Sequence, residues 1–280
     1  MIITSKIGVS ASRGGGGGAV TPHVFVLDEY PTNSFCAYSL QKLRAAYSGN
    51  VIKVRRSSDN AEQDIGFTGN ALDTSSLLTF VGVGDGFVTT FYNQTTGGAQ
   101  TMSQSTANSQ PKIVNSGSLI TDANNGLAAI QFDGVDDHFT GASLGAPHDL
   151  DFYRVGSTTD TKFIMISGAS DKFSYAIDDG STSTAISQNW RSTDLYVNNV
   201  LKSVSTRDDL HTAISIGTPT VVNHYNTNPN RWFVTVKIGR YWLANWEYDG
   251  LIQEFIFYNA DNTDADRSAI TTILMDKYVP

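Results

Sequence analysis

Apolar positions along this chain come mostly in short runs of period two, cut by turns of Gly, Ser, Thr, Asn and Asp, a pattern that predicts many short strands. Its densest run is Leu251 to Tyr258, apolar except for Gln253 and Glu254. Such a run fits a strand buried on both faces, so the rest of the chain must supply two covering layers. Asp249-Gly250 just before it reads as a turn dipeptide, because Gly accepts positive φ. Further strands are expected at 1–9, 23–27, 51–56, 86–92, 110–114, 128–132, 162–167, 173–177, 185–190, 194–197, 213–217 and 232–239, with a hairpin about Asn198-Asn199. Three stretches carry helical spacing instead: 37–47 through Leu40, Leu43, Ala46 and Tyr47; 72–81, with Asp73 or Thr74 near its N-cap; and 264–278 through Ile270, Ile273, Leu274 and Tyr278. The expected fold is all-β, a jelly-roll β-sandwich with two or three short peripheral helices.

Composition agrees with that pattern. Charged residues make up only 16% of the 280, too few for long amphipathic helices with solvated faces. A net charge of −8 supplies no attraction to nucleic acid or to an anionic membrane, and no apolar run approaches the ~20 residues of a membrane span. Cys36 stands alone, which excludes an intrachain disulfide and a thiolate metal cluster and suits a small buried hydrophobe. Residues 1–22 differ from the rest: Ile2, Ile3 and Ile7 precede five glycines from Gly14 to Gly18, without the basic-then-apolar order of a secretion signal. Free pentaglycine is flexible chain, so 1–22 is expected to be an attachment arm held by a neighbouring subunit or a host particle, and 23–280 the sandwich domain.

Some segments resemble known families. Phe132-Asp133-Gly134-Val135-Asp136-Asp137-His138-Phe139 resembles the strand-turn of concanavalin-A-like, laminin-G-like sandwich domains, and Ile238-Gly239-Arg240, 248–258 and the terminal helix look like the closing elements of that superfamily. Residues 37–49, 54–67 and Phe91-Tyr92-Asn93-Gln94 resemble the catalytic domain of fungal-type arabinofuranosidase B, and are similar to segments of bacteriophage virion and tail proteins. The arabinofuranosidases usually carry Asp-Gln-Ser-Gly after the aromatic pair, where this chain has Asn93-Gln94-Thr95-Thr96, and they use several cysteines. Neither of their catalytic carboxylates maps onto a matching motif here. The resemblance therefore implies the scaffold and assigns no catalytic residue.

Glycoside hydrolysis needs two carboxylates, ~5–5.5 Å apart for retention or ~6.5–9.5 Å for inversion. The carboxylates nearest the sandwich motifs are Asp133, Asp136, Asp137, Glu247, Asp249 and Glu254. Asp133 and Asp136 flank Gly134, where Asp side chains cap their own turn amides. Glu254 lies among apolar residues and needs a partner, for which Arg240 on a neighbouring strand is the expected choice. Arg55 and Arg56 could clamp a sugar or a carboxylate, or hold their own loop. Of the four tryptophans, Trp242 and Trp246 flank a loop and are the better candidates for stacking on a sugar ring; core or subunit contact is an equal reading. The five histidines show no zinc spacing, the glycine run is not a phosphate loop, and a calcium ion at Asp178-Asp179-Gly180 is a weak signal.

These readings lead to a structural module of a phage particle, made in the host cytoplasm: a decoration, fibre or tail-associated protein, homo-oligomeric, attached through 1–22 to other virion proteins and able to bind glycans. The alternatives are an arabinofuranosidase-like hydrolase and a soluble lectin without catalysis. The cysteine and Asn93 departures favour scaffold over enzyme.

Overall fold

The computed structural model describes residues 23–32, 34–97, 100–141, 150–158, 163–168, 174–177, 193–203, 209, 213–214, 217–226, 236–240, 247–259 and 262–280. The strand that organises them is Asp249–Asn259. It pairs with Leu150–Thr158 along one edge; along the other it pairs first with Ile130–Asp133 and then with Ser34–Ser39. Outward from Leu150–Thr158 come Thr220–Asn226, Thr193–Val197 and Val200–Lys202, which complete one layer. The facing layer runs from Glu62–Ile65 through Ile52–Arg56, Gly86–Phe91 and Met102–Ser103 to Phe139–Gly141, Val236–Ile238, Phe163–Gly168 and Ser174–Ile177. Every one of these pairings is antiparallel, and the Gln131 to Lys112 pair joins the layers at one edge. The fold is the expected all-β jelly-roll sandwich.

Alternation along the central strand decides what covers it. Ile252, Phe255 and Phe257 belong to the core between the layers, with Phe152, Phe132, Phe139, Phe91, Tyr38 and Ile238. Ile256 and Tyr258 point the other way, into a second core with Tyr153, Val155 and Val221, capped by Ile270, Leu274 and Tyr278 of the helix Asp264–Tyr278. The two covering layers that its sequence demands are thus the opposing sheet and the C-terminal helix. The register along Leu150–Thr158 slips between Val155, opposite Glu254, and Gly156, opposite Ile252. The bulged residue is Gln253, where the other edge changes partner from Ser34–Ser39 to Ile130–Asp133.

The helices Thr74–Val81, with Asp73 as N-cap, and Asp264–Tyr278 lie where the periodicity predicts them. Other expectations differ. Residues 37–47 are not a helix: Ser34–Ser39 is a strand, and turns follow it. Cys36 and Tyr38 enter the inter-sheet core while Ala37 enters the helix-side core, so strand period wins over the helical spacing of Leu40 and Leu43. The backbone after the strand is secured by Gln94, whose amide donates to the Ser39 and Gln41 carbonyls and accepts from Leu43 N. Residues 26 and 27 of the expected strand at 23–27 belong instead to the short helix Val26–Glu29, and Ala213 and Ile214 lie outside any strand. Asp249-Gly250 opens the central strand and makes no turn, with Gly250 at φ 152 because a Cβ there would meet Ser157 O at 2.4 Å. The arm residues Ile2, Ile3, Ile7, Gly14 and Gly18, the strand expected at 185–190, all four tryptophans (Trp242 and Trp246 among them) and the turn Asp178-Asp179-Gly180 lie outside the described residues.

Candidate active-site rim

The strand Ile130–Asp133 ends at a turn that the sequence marks with three aspartates, and each holds a defined place. Asp133 Oδ1 accepts from Val135 N at 2.9 Å and Asp136 N at 3.3 Å, the local capping expected of Asp before Gly. Asp137 Oδ2 accepts from Asp133 N at 3.1 Å, and Asp136 Oδ2 accepts from the Ser109 hydroxyl at 2.9 Å. Gly134, at φ 72, lets the turn press on its neighbour, since a Cβ there would stand 2.9 Å from Asp249 Cβ. Oxygens of Asp133, Asp136 and Asp137 lie within 4.8 Å of one another, close enough for these three to share a divalent cation.

Strand register brings further carboxylates to the same end. Asp133 is the cross-strand partner of Asp249, and Gly134 N donates to Tyr248 O at 3.1 Å. Gly239, at φ 93, packs against Asp137 O, and next to it Arg240 Nε pairs with Glu247 Oε1 at 3.3 Å. Asp133, Asp136, Asp137 and Asp249 therefore share one end of the sandwich as an acidic rim, with the Arg240–Glu247 pair beside it and His138, which feels both Asp136 and Arg240, at its edge. Burial holds the imidazole of His138 below the ordinary histidine range, and its Nδ1 lies 2.8 Å from Asp136 O.

Asp137 is the electrostatic centre of this rim. Only 5% of it is exposed. Burial, then the charge of Asp133, pushes its carboxyl up to about 7, partly offset by the Asp133 amide. A carboxyl that keeps its proton near neutrality beside a second carboxylate is the asymmetry that acid–base catalysis on glycosides uses.

The sixth candidate, Glu254, lies elsewhere. Its expected partner Arg240 pairs with Glu247, and Glu254 is bound by Lys277 at 2.9 Å, Tyr278 OH at 2.6 Å and Ser39 OH at 2.7 Å. The bulge at Gln253 and the face alternation turn Glu254 toward the C-terminal helix, away from the rim. Both sequence-marked arginines hold loops. Arg55 donates to Gln110, Asn60 and the Ala107 carbonyl and stacks on Phe87, while Arg56 makes a two-pronged bond to Asp59 and covers Phe80. Asn93, which stands where the arabinofuranosidase motif has Asp, is buried and accepts from Ala37 N and Thr95 N through Oδ1.

No protein-family model matches the chain, and no curated protein matches its sequence. Solved structures do. One is a GH54 α-L-arabinofuranosidase, a glutamate-to-glutamine mutant soaked with 4-nitrophenyl α-L-arabinofuranoside (13% identity, TM-score 0.55); another is a GH54 α-L-arabinofuranosidase soaked with a cyclic sulfate inhibitor (13%, 0.54). A third is an arabinofuranosidase complexed with arabinofuranosyl-α-1,2-xylobiose (14%, 0.57). Each alignment covers 91% of this chain and 65% of the neighbour, so the chain spans about two thirds of the length of the structures it matches. At this identity what is shared is the fold, a β-sandwich in common with arabinofuranosidases.

Proposed function

We propose that this chain is a glycoside hydrolase of arabinofuranosidase type, working at the rim of Asp133, Asp136, Asp137 and Asp249. The observation that carries the reading is Asp137, a nearly buried carboxyl with its proton affinity raised to about 7 beside Asp133, on a sandwich shared with arabinofuranosidases. In this reading Asp137 gives its proton to the leaving glycosidic oxygen as the C–O bond breaks, and the Asp133 carboxylate attacks the anomeric carbon. Water, deprotonated by Asp137, then releases the sugar. One oxygen of Asp133 and one of Asp137 lie within 4.8 Å of each other, close enough for the two carboxyls to act on the same glycosidic bond.

The test is arabinose release from arabinofuranosyl-xylobiose, a substrate whose poor leaving group depends on a proton donor. The wild type should release arabinose, and Asp137→Asn should slow it by about 100-fold or more with the fold intact by circular dichroism. No release from the wild type overturns the hydrolase reading, and binding without release assigns the rim to glycan recognition alone. The particle-attachment reading draws on residues 1–22, outside the described residues, and on the virion-like block 37–67, and none of the comparisons supports it.

A further inference from the structure

Away from the rim, the irregular segment after Ser34–Ser39 and the Gly66–Phe67 entry to the two-stranded ribbon of Phe67–Thr68 and Ala71–Leu72 line an open basin of about 430 Å³. Its volume falls in the range of small-ligand sites. Two half-buried rings form its wall, Tyr47 and Phe67, with centroids 6.1 Å apart and planes 82° to each other. Tyr47 is fixed by its hydroxyl, which donates to Asn50 O at 2.8 Å. A Cβ on Gly66 would meet nothing within 4 Å, so that side of the basin is open. Lys42 stands over Phe67 with Nζ 5.5 Å from the ring centroid, and among the described residues its ammonium has no ion-pair partner. In a chain with 27 acidic and 19 basic residues, the lining of this basin holds one lysine and no carboxylate.

We propose that the basin is a binding site for an acidic sugar, a uronate residue of a polysaccharide. The sugar ring rests its C–H face on Tyr47, with Phe67, whose plane stands at 82° to that ring, as the side wall. Its carboxylate takes a charge-assisted hydrogen bond from Lys42 Nζ. Ser48 and Asn50 line the same basin and offer polar groups to the ring hydroxyls. The choice of a sugar over another small anion rests on the glycoside reading above; the choice of an anion rests on the lining itself.

Calorimetric titration of the full chain at low salt, with trigalacturonate and with neutral galactotriose, tests the proposal. Saturable binding of trigalacturonate is expected, about tenfold tighter than the neutral trimer, and Lys42→Met should remove that advantage. Lys42→Met keeps an unbranched apolar side chain of similar length beside Phe67 and removes the ammonium, so folding should be retained and arabinose release unchanged. No binding of trigalacturonate, equal affinity in Lys42→Met, or equal affinity for acetate overturns the proposal. Trigalacturonate binding by a wild type that releases no arabinose defeats the glycoside reading and leaves the basin standing. Release of arabinose without such binding does the reverse.

Discussion

The ammonium of Lys277 lies 2.9 Å from Glu254 Oε2, tying the last turn of the C-terminal helix to the middle of the central strand. The same oxygen accepts from Tyr278 OH and Ser39 OH, so one buried carboxylate joins three elements. Burial lowers the proton affinity of Lys277, and Glu254 acts against that shift. Lys277→Met should cost about 3–5 kcal/mol, because it strands a buried carboxylate. Adding Glu254→Gln should recover most of the loss. Urea unfolding of both single variants and the double reads this, and additive losses would show that the two side chains do not interact.

That pair also marks how far the sequence leads. Lys277 stands four residues after Ile273 and seven after Ile270, on the stripe that the periodicity assigns to the buried face, yet its charge argues for solvent and hides the contact. Arg240, read as the partner of Glu254, sits at the other end of the strand, and only the bulge at Gln253 shows which way Glu254 faces. Leu251 to Tyr258 is legible because nothing else tolerates such a run. Residues 37–47 are not, because the bonds that hold them open come from Gln94, about fifty residues on. The rim carboxylates can be named from the motif, whereas the pairing of Asp133 with Asp249 depends on strand register, which composition does not encode.

Gly156 is expected to be intolerant of any side chain. At the bulge, a Cβ on it would stand 2.1 Å from Leu251 O, a backbone atom with nowhere to move. Gly156→Ala should therefore destabilise by about 3 kcal/mol or more, beyond ordinary overpacking. A thermal melt within a degree or two of wild type would mean that the bulge relaxes freely.

Asn198 and Asn199, at φ 47 and φ 64, form the hairpin turn between Thr193–Val197 and Val200–Lys202. Asn198 Oδ1 also accepts from Val221 N at 2.9 Å, pinning the turn to the neighbouring strand. Asn198→Ala loses both the left-handed tolerance and that bond, a cost of about 1–3 kcal/mol. Asn198→Gly keeps the backbone freedom, so it should recover part of the loss. Denaturant titrations that rank glycine below alanine would refute the backbone half of this account.

Asp137 links stability to pH with a definite sign. Its carboxyl titrates at about 7 in the fold against an ordinary 3.8, so the folded state holds a proton that the unfolded chain gives up. The stabilisation from that proton is full below pH 4, declines as pH rises and is gone once pH passes 7. Asp137→Asn keeps an oxygen to accept from Asp133 N and removes the titration. Wild type should therefore lose stability relative to this variant between pH 4.5 and 7.5, by about 2 kcal/mol once screening at the open side of the turn is allowed for. At pH 7.5 the variant should be the more stable protein, and under the proposed hydrolase role also the slower one, the exchange expected where a carboxyl of raised proton affinity serves chemistry. Parallel melting curves for the two across this range would place the Asp137 proton affinity near its ordinary value and remove Asp137 as the proposed proton donor.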